Sequence, residues 1–100
     1  MKKARRAEEA LTLEAIPNVG PAVAADLRQL GIRVPADLAG LDPYVLYQQL
    51  CNQTGKIHDP CLLDTFIAIT RFMSGEAPLP WWRYTSERQR TLRAMQRRDA

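Results

Sequence analysis

Apolar residues between Ala4 and Ile16 fall at Ala7, Ala10, Leu11 and across Leu13 to Ile16, a spacing that predicts a first helix over about residues 5–15. The stretch IPNVGPAV, Ile16 to Val23, interrupts that pattern. Pro17 disfavours helical geometry for Ile16 and ends what precedes it. Gly20 is free to take a positive φ or to let another backbone come close. Pro21 has its φ preset for the first turn of a new helix. The stretch reads as helix, three- or four-residue hairpin, helix. The second helix is expected over 21–30, with Val23, Leu27 and Leu30 on one face and Gly31 in the C′ position.

Three later segments follow helical punctuation as well. Val34-Pro35-Ala36-Asp37-Leu38 begins a short helical turn that Gly40 ends. Asp42-Pro43 supplies an N-cap and a first-turn proline for a helix over 43–54, with Leu46, Tyr47, Leu50 and Cys51 on one face. Asp59-Pro60 repeats the signal for a helix over 60–74. Its apolar residues cover more than one face, which makes it the central helix, with Phe66, Ile67 and Ile69 buried. Ala77-Pro78-Leu79-Pro80 is a stiff linker leading to Trp81, Trp82 and Tyr84. Thr85 can cap a last helix over 86–97. No useful β-alternation occurs. The expectation is an all-α, compact five- to six-helix domain, with the first hairpin followed by a second one.

Composition adds bounds. One hundred residues, 46% hydrophobic and 25% charged, make one globular domain with a modest core. No apolar run approaches a membrane span. The basic start is followed by Glu8 and Glu9 instead of an apolar core, so no export signal is read. Two cysteines are too few for a secreted disulfide scaffold. Both features favour the cytoplasm. The net charge of +3 is unevenly laid out: +2 over residues 1–9, −3 over 10–79 and +4 over 80–100. Three segments result: a basic N-terminal arm or helix start (1–9), a hairpin-bearing domain (10–76), and a Pro-rich linker with a Trp pair and basic helix (77–100).

Leu13-x-x-Ile16-Pro17-Asn18-Val19-Gly20-Pro21-x-x-Ala24-x-x-Leu27 resembles the helix-hairpin-helix motif of DNA-binding proteins. Gly20 and Ala24 match that motif, and Asn18 stands where its first glycine is usual, a mild change because Asn tolerates left-handed geometry. With LGIRVPADLAGLDPYVLYQQL (30–50) and LCNQTGKIHDPCLLDTF (50–66), the chain over residues 11–75 is similar to a family of small bacterial pathogenicity-locus, or mitomycin-resistance, proteins. The resemblance implies a helical fold and a DNA-related role. Physically, the helix beginning at Pro21 offers unpaired amides and a positive dipole end, and Gly20 has no Cβ to hold a phosphate away. The candidate DNA-binding residues are Asn18, Val19, Gly20, Ala22, Val23, Arg28, Arg33 and Lys56. A compact interhelical turn needs no ligand, and that reading stays open beside the first. Where DNA-binding relatives often carry Lys, Arg or Thr, this chain has Ala22 and Val23, with Asp26 one turn on.

Other constellations point less far. Cys51, His58 and Cys61 lack the four tightly spaced ligands of a zinc site, so both cysteines are expected as core thiols and His58 as a loop residue satisfying a helix end. No metal or other cofactor is expected. One histidine, no Ser-His-acid arrangement and no phosphate loop leave no activated group for catalysis. The expected function is non-catalytic, sequence-independent docking on the DNA backbone. The alternative is a protein–protein adaptor of the same fold without DNA affinity, meeting a partner or a second copy through Trp81, Trp82 and the C-terminal helix.

Overall fold

The computed structural model describes residues 2–99, with side chains through residue 98. It is all-helical, with no strand among the described residues. Four α-helices, α1 (Pro21–Gln29), α2 (Pro43–Thr54), α3 (Pro60–Met73) and α4 (Thr85–Asp99), are joined by four short 3-10 turns at Ala7–Glu9, Leu13–Ala15, Pro35–Leu38 and Trp81–Tyr84. None of these helices is long and apolar enough to cross a membrane.

The Asp-Pro signals act as read. Asp42 Oδ1 accepts the Tyr44 amide at 2.9 Å and Asp59 Oδ1 accepts the Cys61 amide at 2.8 Å, so each aspartate satisfies one orphan donor of the helix it opens. At the far end of α1, Gly31 takes φ 87 and donates to Arg28 while Ile32 donates to Leu27, the left-handed close expected of a C′ glycine. The central helix is α3, buried without a break from Leu63 to Thr70. On one side Phe66, Ile69 and Phe72 pack with Leu13, Ile16, Val19, Leu27 and Leu50. On the other, Leu63, Ile67 and Ala68 meet Tyr84, with Trp81 and Leu92 at the margin.

The first segment departs from expectation. Residues 5–15 form two 3-10 turns separated by extended backbone at Ala10 and Thr12. A continuous helix would hold residues 4 and 15 about 16 Å apart. Instead the Ala4 amide donates to the Ala15 carbonyl at 2.8 Å, because the arm folds back on itself. Glu9 Oε1 turns the chain by accepting the amides of Arg5 and Arg6. Only Ala10, Leu13 and Ile16 are buried here, while Leu11 is 79% exposed. That stripe is too thin to sustain a short helix against such tertiary bonds. The Trp81–Tyr84 turn and α4 pack onto α3, and α4 starts at Thr85 itself.

Candidate nucleic-acid interface

The hairpin hangs from the core by Ile16 and Val19, both fully buried. Ile16 is extended, with φ −71 and ψ 132, as the following proline requires. The Val19 amide closes the turn on the Ile16 carbonyl at 3.1 Å. The left-handed residue is Asn18, at φ 76, and not Gly20, which lies at φ −98 and ψ −174. Any residue adopts that extended conformation, and a Cβ built on Gly20 meets no atom within 4 Å. The expectations of positive φ or close backbone approach at Gly20 are therefore corrected. What its bareness leaves is open space in front of α1.

That space is lined by amides. The first bond of α1 runs from Ala24 to the Gly20 carbonyl at 3.0 Å, and among the described residues the amides of Gly20, Ala22 and Val23 have no hydrogen-bond partner. The Val19 amide is taken by the turn. A cation missing from the sequence-based set is bonded to the carbonyl face of the hairpin, on the other side of the 19–20 peptide from the Gly20 amide. The Lys3 ammonium donates to the Glu14 carbonyl at 2.6 Å and to the Val19 carbonyl, one residue before Gly20. Its distance along the chain hid it; the fold-back of the basic arm brings it in.

The other candidates divide. Asn18 donates through Nδ2 to the Leu79 carbonyl at 2.9 Å and accepts the Trp81 amide at Oδ1 at 3.2 Å, so its side chain serves the linker. Arg28, about two turns down α1, donates through Nη2 to both Glu14 carboxylate oxygens at 2.9 and 3.1 Å. This guanidinium is the chief reason the Glu14 carboxyl titrates below its ordinary range. Arg33 lies beyond the C-terminal end of α1, where its amide helps hold the Asp37 carboxyl low. Lys56 borders a shallow depression with Gln48, Cys51 and Asn52, and no hairpin residue lines it. The structure brings together Val19, Gly20, Ala22 and Val23, with the backbone of Asn18. Arg28 is tied to Glu14, and among the described residues neither Arg33 nor Lys56 hydrogen-bonds to the corner.

The linker held by Asn18 presents the tryptophan pair. Trp81 is half-buried against the α3 cluster and Trp82 is 61% exposed, their rings edge-to-face at 5.7 Å. In α4, Arg88 is spent on buried Asp64, while Arg90, Arg93, Arg97 and Arg98 are exposed. The last two stand about 18 Å along the helix from Thr85.

The cysteine expectation needs correction. Cys51 is half-buried but Cys61 is exposed, and both are free thiols. Cys61 stands in the first turn of α3, where hydrogen bonding to the Asp59 carboxylate pushes the thiol up. His58 Nε2 lies 2.8 Å from Thr54 Oγ1, the last residue of α2. Among the described residues no three His, Cys, Asp or Glu side chains gather as a metal-holding group.

Fold and site thus define a small all-α domain whose proline-flanked corner turns bare amides outward. Residues 6–90 match the family described as Cdd1, Pathogenicity locus, and the chain belongs to that family. It is also 40% identical over 80 residues to the Mitomycin resistance protein McrB of Streptomyces lavendulae, across 80% of this chain and 76% of that protein. No solved structure matches.

Proposed function

We propose that this protein is a non-catalytic module that docks the phosphate backbone of DNA through a helix-hairpin-helix formed by the Leu13–Ala15 turn, the corner and α1. One observation carries the reading: Gly20, Ala22 and Val23 present partnerless amides at the N-terminus of a nine-residue helix, with open space over Gly20. Amides and a helix dipole recognise a phosphate and carry no base information. The Lys3 ammonium adds positive charge at the corner, and residues 16–23 contain no acid. With so few ionic contacts, affinity is expected to be micromolar or weaker at physiological salt.

The test is an electrophoretic titration with mixed-sequence duplex at low and moderate salt, comparing wild type with Gly20→Val. Because residue 20 is extended and unobstructed, the valine variant should fold, yet its side chain would stand where the phosphate approaches. Wild type should bind at low salt and the variant about tenfold more weakly. Equal affinities would make the corner only a turn.

The adaptor reading draws on a different observation: Leu11, Ile57 and Trp82 are exposed at 79%, 88% and 61%, and Arg28 is neutralised by Glu14. It predicts no DNA binding even at low salt.

A further inference from the structure

Among the described residues, one side chain hydrogen-bonds the linker to the hairpin. Asn18 clasps the linker at two points, accepting the Trp81 amide and donating to the Leu79 carbonyl, so the Trp81–Trp82 pair is tied to a residue two positions before Gly20. Trp81 is seated against Leu63, Ile67, Ala68 and Tyr84, and the 3-10 turn Trp81–Tyr84 fixes the backbone that carries its neighbour. Trp82 then leaves most of its indole in water, which an apolar ring of this size does not do for stability. Neither the hairpin nor the linker carries an acid. Across residues 16–23 and 77–84 the sole charged residue is Arg83, exposed next to Trp82, and the Lys3 ammonium sits on the hairpin.

We propose that Trp82 is a stacking platform for an unpaired base, and that the hairpin therefore selects single-stranded over duplex DNA. This rests on the phosphate-docking reading above and names its substrate class. The geometry asks for a chain with phosphates along one edge and accessible aromatic faces beside them. A single strand offers both together. In a duplex the base faces are covered by their stacked neighbours, so only the phosphates remain for the protein. Stacking on an aromatic side chain tolerates any base, in keeping with a site that has no base-edge readers.

The experiment is fluorescence anisotropy at one fixed low salt, with a labelled mixed-sequence single strand and a duplex of the same length, on wild type, Trp82→Ala, Trp82→Phe and Gly20→Val. Trp82 is exposed, so its variants should keep the wild-type thermal midpoint, measured alongside. Wild type should prefer the single strand. Trp82→Ala should lose about tenfold on the single strand and nothing on the duplex, with Trp82→Phe recovering most of the loss. Gly20→Val should weaken both. If Trp82→Ala lowers both substrates equally or neither, the stacking inference is wrong while the docking reading stands on the Gly20→Val result. If wild type binds neither strand nor duplex, the docking reading fails and the inference with it.

Discussion

Asn18 performs two jobs that are separable by substitution. Its backbone accepts a left-handed φ of 76, which a Cβ-bearing residue without a short polar side chain resists, and its amide ties residues 79–81 to the hairpin. Asn18→Gly keeps the turn and loses the tie, and is expected to cost about 1 kcal/mol. Asn18→Ala adds left-handed strain, about 1 kcal/mol more. Thermal melts should place the midpoints in the order wild type, glycine, alanine; alanine above glycine would contradict the division of roles. That Asn18 can replace a glycine is readable from its chemistry. The tie to Leu79 spans 61 residues, and no local pattern announces it. Gly20 was misread for a related reason: a glycine in a tight corner suggests positive φ, yet the turn places that φ at Asn18 and leaves Gly20 extended.

Asp-Pro and Pro starts with Gly stops set the bounds of α1, α2 and α3 almost to the residue, because caps are local hydrogen bonds among neighbours. The first segment failed as a helix because its fate is decided at long range, by the Ala4–Ala15 bond and by Lys3 reaching the hairpin. The last helix was legible as a helix but not as a docked one. Asp64, with no exposed surface, sits amid the apolar run of α3 and receives Arg88 Nε at 2.8 Å and Thr85 Oγ1 at 2.8 Å. Asp64→Ala leaves a largely covered guanidinium without its partner and is expected to cost about 3 kcal/mol. Hydrogen exchange should show α4 losing protection in this variant. The double variant Asp64→Leu with Arg88→Met removes both charges and should recover much of the loss. A double variant as unstable as Asp64→Ala would show that the pair itself, and not the stranded charge, holds α4.

For the molecule as a whole, charge layout was legible and charge placement was not. Both basic ends flank an acidic middle, but folding sends them to different tasks: Lys3 to the hairpin, Arg88 into an ion pair, and the remaining arginines of α4 outward. The acidic middle also sets the pH response. Hydrogen bonds hold the carboxyls of Glu14, Asp37 and Asp59 below their ordinary values, from Arg28, from the amides of Arg33 and Val34, and from the amide of Cys61. Groups lowered in the folded state stabilise it fully above the unfolded value, near pH 4, and that contribution is lost as pH falls through the folded values. The thermal midpoint should thus hold between pH 7 and 5 and decline below about 4. A midpoint that rises on acidification would contradict these assignments. The central claim, that bare amides at the corner are the phosphate ligands, is tested most directly by an amide-resolved NMR titration of the wild-type chain with mixed-sequence DNA at low salt. The account predicts the largest shifts at Gly20, Ala22 and Val23, with the Val19 amide, already bonded to Ile16, moving less. Shifts confined to Arg90 through Arg98, with the corner unmoved, would contradict it.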